Sequence, residues 1–238
     1  FPVFADPNAG AYLAARQAGM DADYVAASGY YRDALLADPL NQVLMEKSIT
    51  AYLGTGQGET AAALARPFIA AGGESQVANI AIMAQSARAA DWDGIFNLLE
   101  AGHEVGPLLD GLTQAWAHLG KGDTDRALMA FDDVVDTPGL RAFGQQHKAL
   151  ALGLLGNLEA AEALYSLPPN EGFPPSRDTV IAHLQILCQL GEFERARGII
   201  DRAFGDTPDI EVTILRDAIN AEVVPDLAPP IASPSDGI

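Results

Sequence analysis

The sequence predicts an all-α protein built as a stack of helical hairpins, and three observations carry that reading. Alanine and leucine dominate a 238-residue chain that is 49% hydrophobic and 19% charged, and strand-length runs alternating apolar and polar residues are hard to find. The stretch Arg177 to Pro208 reads as two short amphipathic helices. The first carries Val180, His183, Leu184 and Leu187, the second Ala196, Ile199, Ile200 and Ala203, with Gly191-Glu192-Phe193 breaking the pattern between them. The same pattern recurs along the chain: Ala27, Ala61, Ile95, Ala127, Ala161 and Ala196 follow one another at spacings of 34, 34, 32, 34 and 35 residues. A hairpin of this size cannot bury its apolar stripes alone, so a beat of that period predicts hairpins that cover one another.

In chain order, residues 1–7 form a short lead-in, with Asp6-Pro7-Asn8 as a helix-start signal. Six repeats then span approximately 8–41, 42–75, 76–107, 108–141, 142–176 and 177–209. Before each anchor stands a turn: Asp23-Tyr24, Gln57-Gly58, Asp91-Trp92, Gly122-Asp123, Gly156-Asn157-Leu158 and Gly191-Glu192-Phe193. Glycine or a short polar residue lets the chain reverse, and the small anchor lets the second helix approach the first closely. Tyr31, Ala65, Leu99, Phe131, Tyr165 and Ile200, four residues after the anchors, fall on the same face and mostly fill the gap. Pro39 and Pro208 stand where a second helix must stop. Gly72-Gly73 replaces that proline in repeat two, Ile95 replaces the alanine in repeat three, whose second helix Gly94 interrupts, and the proline-rich run from Ser166 to Pro175 cuts repeat five short. Residues 210–224 form a capping helix with Val212, Leu215 and Ile219 turned to the last repeat. The proline-rich stretch 225–238 is a linker or a docking segment.

These residues give the chain its resemblance to the tetratricopeptide repeat family, whose signature is small residues at fixed sites, an aromatic in the second helix and a closing proline within 34 residues. The match covers Asn8 to Pro208 and is closest in repeats one, four and six. The resemblance implies a right-handed α-solenoid that binds proteins or peptides on its concave face. The chain is also similar to the N-terminal half of longer exported proteobacterial members, in which the residues corresponding to Ser235-Asp236-Gly237-Ile238 run on into further repeats. That likeness implies a fragment and a periplasmic or exported location, with the cytoplasm as the alternative. The chain begins at Phe1 rather than methionine, as removal of a targeting segment or of added residues would leave it.

Charge narrows the partners. With 14 basic against 32 acidic residues the formal net charge is −18, which repels nucleic acid and anionic membrane surfaces and leaves either a solvated acidic surface or a basic partner. No apolar run approaches the ~20 residues that span a bilayer. The single Cys188 lies in the apolar middle of a helix and reads as a buried small hydrophobe.

No catalytic signature emerges, and neither a cofactor nor a metal site is expected. Gly54-Thr-Gly56-Gln-Gly58 has the look of a phosphate loop but falls on an inter-helix turn with no preceding strand. His103, His118, His147 and His183 lie in different repeats without i, i+4 partners, and His183 and Cys188 are set on different sides of one helix. Asp123 with Asp125, and Asp132 with Asp133, lack the ligands of a calcium loop.

In such a stack the first helices line the concave face. The residues fifteen and eleven positions before each anchor are Tyr12 and Arg16, Glu46 and Thr50, Ile80 and Ala84, Leu112 and Trp116, Gln146 and Leu150, Ile181 and Gln185. Their apolar middle suits a protein or peptide partner with an apolar or amphipathic segment. The family members that clamp acidic tails put lysine, arginine and asparagine here; only Arg16 fits, so that function is not carried over. Ile80, Leu112 and Trp116 are equally readable as core, and Leu227, Pro229, Pro230 and Ile231 of the tail as occupants of the groove of their own or a neighbouring molecule. Alternatives are a small-molecule or lipid-binding solenoid, and a structural segment of a larger envelope assembly.

Overall fold

A computed structural model describes residues 7–168, 170–205, 209–225 and 231–238. Among them are thirteen α-helices and no strand. The chain divides into two compact units, residues 1–106 and 107–238. Residues 1–6 of the lead-in, Pro208, and Leu227, Pro229 and Pro230 lie outside the described residues.

The first unit holds three hairpins: α1 Pro7–Met20 with α2 Tyr24–Ala37, α3 Gln42–Gly54 with α4 Gly58–Ala70, and α5 Gln76–Arg88 with α6 Trp92–Glu100. The second holds α7 Pro107–Gly120 with α8 Thr124–Asp136, α9 Arg141–Leu154 with α10 Leu158–Tyr165, α11 Arg177–Gln189 with α12 Phe193–Phe204, and then α13 Ile210–Ala221. Within each unit every helix packs on the next. First helices also touch one another: α3 on α5 in the first unit, and α7 on α9, α9 on α11 and α11 on α13 in the second. That two-way adjacency is the packing of a helical solenoid, in which one face of each stack is built from first helices.

One device makes all six turns. Ala22, Gly56, Ala90, Gly122, Gly156 and Gly191 stand five residues before the anchors, and every one has a positive φ, between 53° and 78°. The residue after each sends its N–H back five positions to a first-helix carbonyl, Asp23 to Ala18, Gln57 to Tyr52, Asp91 to Ser86, Asp123 to His118, Asn157 to Leu152 and Glu192 to Leu187, at 2.8 to 3.0 Å. This is the Schellman closure of a helix C-terminus, and it needs a left-handed residue that glycine adopts without strain. Three of the second helices are then capped by aspartate: Asp23 accepts from Ala26 N–H, Asp91 from Gly94 and Asp123 from Arg126.

The six anchors, Ala27, Ala61, Ile95, Ala127, Ala161 and Ala196, have no exposed surface at all. Of the residues four further on, Tyr31, Ala65, Phe131 and Ile200 are buried, while Leu99 and Tyr165 are half-buried. Departures from the sequence pattern have local causes. The turn after α4 closes through Gly72, with φ +81°, and Gly73 N–H bonded to Phe68 O, so glycine stops the helix where proline does elsewhere. Gly94 does not interrupt α6 but lies in its first turn, where an added Cβ would sit 2.2 Å from the Asp91 carboxylate that caps the helix. The proline-rich run does shorten α10, to eight residues, and Phe173 from that run returns edge-on to Tyr165 at 5.3 Å. α11 is buried from Ile181 through Cys188 without a break, more than a one-sided stripe implies, because α9, α10, α12 and α13 all pack on it. α13 turns Val212, Leu215 and Ile219 into that core. Arg177 ties its start to the last hairpin through Asp209 at 2.9 Å and Glu211 at 2.7 Å.

Ala22 and Ala90 hold the strained conformation without the residue suited to it. A left-handed alanine costs roughly 1 to 2 kcal/mol, and the extra unfolded-state freedom of glycine offsets part of the gain. Ala22→Gly and Ala90→Gly are therefore expected to stabilise the first unit by about 0.5 kcal/mol each, and Gly122→Ala to destabilise the second by about 1 kcal/mol, read from urea midpoints.

Candidate functional site

In the first unit the first-helix face is open. Tyr12 and Arg16 on α1, Glu46 and Thr50 on α3, and Ile80 and Ala84 on α5 are half-buried or exposed. Arg16, Lys47, Thr50, Tyr24 and Tyr31 line a cleft of about 380 Å³ there. Burial pushes the Tyr31 hydroxyl pKa up, so the phenol stays protonated.

In the second unit the corresponding positions on α7 and α11 are covered. Leu112 and Trp116 on α7 and Ile181 and Gln185 on α11 are buried, and Gln146 and Leu150 on α9 are half-buried. Ile181 is buried in the core beneath α13. Over Leu112 and Trp116 lies the chain's own segment 231–238. Ile231 joins the apolar cluster of Leu112, Ala115, Trp116, Leu119 and Phe131. Residues Pro234–Gly237 form a 3-10 turn that packs on α7. Gly237 lies flat on the indole: a Cβ added there would stand 2.2 Å from Trp116 Cε2. The turn is held by Asp236, whose carboxylate accepts from Ser233 Oγ at 3.0 Å, Ser233 N at 2.8 Å and Ala232 N at 3.1 Å. Those donors hold its pKa below the usual carboxylate range.

Trp116 thus faces two ways. Its inner edge meets Phe131 nearly perpendicular, ring centres 5.3 Å apart, while its other face carries Gly237. Its Nε1–H donates to His147 Nδ1 at 3.0 Å. That bond requires a neutral His147 with Nδ1 unprotonated, and burial, which lowers the imidazole pKa, favours that form.

Beside Trp116, a cavity of about 350 Å³ runs between α9 and α11, lined by Leu150, Gly153, Leu154, Tyr165, Gln185 and Ile186, with Val224, Pro225 and Ile231 along its rim. The Tyr165 hydroxyl is buried and has no hydrogen-bond partner among the described residues. His183 stacks on Tyr165 with ring centres 5.1 Å apart and planes 12° from parallel. Its Nε2 stands 3.9 Å from Glu162 Oε1, too far for a hydrogen bond. Burial keeps His183 below its ordinary pKa, against the pull of Glu162. Burial works to raise the Glu162 pKa, but hydrogen bonds from Ser166 and Arg195 bring it below the usual value.

The other sequence candidates for chemistry fall elsewhere. Gly54 ends α3, Gly56 makes the left-handed turn and Gly58 begins α4, so that glycine run is a turn. Cys188 is buried, its thiol pushed up to about 11 by burial. Among the described residues no three His, Cys, Asp or Glu side chains come together as a metal site, and no helix is long and apolar enough to cross a membrane. Sequence reasoning missed the Trp116–His147 bond and the Glu162, Tyr165 and His183 cluster. Each contact joins neighbouring hairpins, Trp116 on α7 to His147 on α9 and His183 on α11 to Glu162 and Tyr165 on α10, at separations that the repeat period does not mark.

No protein-family model matches the chain, and no curated protein matches it. Among solved structures, a chain from the structure of Naa15/Naa10 bound to HypK-THB is similar, with a TM-score of 0.40 and 18% identity over 91% of this chain. The match takes in 34% of that chain, so this protein spans about a third of its length.

His118, His147 and His183 all have pKa values lowered by burial. The folded protein therefore binds fewer protons than the unfolded chain just below the ordinary value of ~6.5. Stability is expected to be level at pH ~7 to ~8, to fall as pH drops from ~6.5 towards ~5 before carboxylates contribute, and to fall again in alkali as the unfolded chain loses protons that burial retains on Cys188, Tyr31 and Tyr165. His147→Gln keeps an acceptor for Trp116 and should make the decline shallower; an unchanged slope in urea titrations would contradict the assignment.

Proposed function

We propose that the protein is a non-enzymatic scaffold that binds protein or peptide segments along its first-helix faces. The seat in the second unit lies on α7 and α9 around Trp116. The observation that supports this reading is the chain's own segment 231–238, which sits on the Leu112 and Trp116 cluster as a docked, turn-forming peptide would. A large flat ring gives such a groove most of its apolar area, and the half-buried Gln146 and Leu150 flank it. In the first unit the open face of Tyr12, Arg16, Glu46, Thr50, Ile80 and Ala84 offers a second surface of the same type. A periplasmic or exported location rests on the sequence resemblance alone.

A small-molecule reading is favoured by one observation. The cavity between α9 and α11 has a mostly apolar lining that includes Tyr165, whose buried hydroxyl has no partner among the described residues, a combination suited to a small ligand with one hydrogen-bonding group. Native mass spectrometry separates the two readings, since a retained ligand adds mass to the purified chain.

The scaffold reading is tested by placing a photo-crosslinking amino acid at Ala84 and at Gln146, one in each unit, and at the exposed Ala163 on α10 as a control. Irradiation in cells is expected to join partner peptides to the first two positions and not to the third. Equal labelling at all three positions would contradict the reading.

A further inference from the structure

We infer that residues 231–238 are a displaceable resident of the Trp116 groove, and that the partner for which they hold the place is a peptide with an aliphatic anchor, a Ser-Pro turn and a glycine six residues after the anchor. The inference rests on the scaffold reading and adds the chemistry of the partner and its control.

Three features of the contact define the ligand. Ile231 is the one side chain of the segment that enters the apolar cluster of Leu112, Ala115, Trp116 and Phe131, and it is 8% exposed. The turn that follows is made within the segment: Ser233, with Pro234 at the first position of the turn, is closed by Asp236 through three hydrogen bonds to Ala232 and Ser233. Its form is therefore largely set before it docks, which lowers the ordering cost of binding. Gly237 then meets the indole so closely that any Cβ would collide with three ring atoms, at 2.2 to 2.7 Å. Trp116 is pinned by Phe131 and by its bond to His147, so the ring cannot turn aside, and the groove selects glycine at that place.

The same features make the segment exchangeable. Ile231 and the approach of Gly237 to the indole supply the apolar part of the contact, Ser233 to Ser235 are half-buried, and Ala232, Asp236 and Ile238 remain exposed. A contact of that size holds because the segment belongs to the same chain, where its effective concentration is of millimolar order. A free peptide that reproduces the anchor, turn and glycine competes against that local concentration. Its apparent affinity is the intrinsic affinity multiplied by the fraction of grooves left empty.

The experiment uses the full chain with Trp92→Phe, which leaves Trp116 as the sole tryptophan, with and without Gly237→Val, and a second undocking variant, Ile231→Asp. Acrylamide quenching reads the exposure of Trp116. Fluorescence anisotropy reads binding of a labelled Ile-Ala-Ser-Pro-Ser-Asp-Gly-Ile peptide and of its Gly-to-Val form. The parent is expected to be weakly quenched and to bind the probe poorly. Both variants should be quenched more strongly and bind it at least tenfold tighter, and the valine probe should bind neither. Trp116 still shielded in both variants would overturn the inference. So would exposed Trp116 without probe binding; if cross-linking from Gln146 then still yields a partner, the scaffold reading stands without it. A parent that elutes as a dimer while Gly237→Val elutes as a monomer would also overturn it, by assigning the occupant to a second copy.

Discussion

The close approach of two helices over a side chain with no exposed surface is the constraint from which the rest of this structure follows. Five of the six anchors are alanine, and all six are sealed. A helix can come this near its partner only if the residue at the crossing is small or its partner gives way. Ile95 is the exception, and its helix still packs on α5 with that side chain sealed. The approach distance in turn fixes the turn. Three residues carry the chain from the end of one helix to the start of the next, and the Schellman closure with a left-handed residue five positions before the anchor does so at every hairpin.

Stacking such hairpins leaves the first helices as neighbours along one face of each unit, the face on which we propose that recognition takes place. In the first unit it is open. In the second it is occupied by the chain itself, and Trp116 is the hinge of that difference. The ring meets Phe131 on one side and Gly237 of the chain's own segment on another, and His147 holds its Nε1–H from a neighbouring first helix. A side chain that belongs to the core and the groove together ties the shape of the groove to the packing beneath it. On the proposed reading, the preference of the groove for glycine follows from that packing.

Much of the fold was legible because it is local and periodic. The beat of small residues marks each crossing, and glycine marks four of the six turns. Ala22 and Ala90 hide the other two, since nothing in an alanine announces a positive φ. The short α10 could be read from Pro168 and the prolines after it, because proline acts on the backbone next to it. The groove was legible only as a row of positions. Spacing places Leu112, Trp116, Gln146 and Leu150 on one face, but whether that face is open depends on residues 231–238, far along the chain from α7, and no local pattern carries that contact. The stacking of His183 on Tyr165 was hidden in the same way: its members are ordinary residues until two hairpins bring them together.

The central claim is tested most directly by enlarging the anchors one at a time, with Ala61→Leu, Ala127→Leu, Ala161→Leu and Ala196→Leu, and measuring unfolding in urea beside Ala84→Leu on the exposed first-helix face. Overpacking a sealed crossing should cost about 1 to 3 kcal/mol at each anchor, while the Ala84 variant should stay within about 0.5 kcal/mol of the parent. Anchor variants as stable as the Ala84 control would contradict the account, because the helices would then not depend on a small residue where they cross.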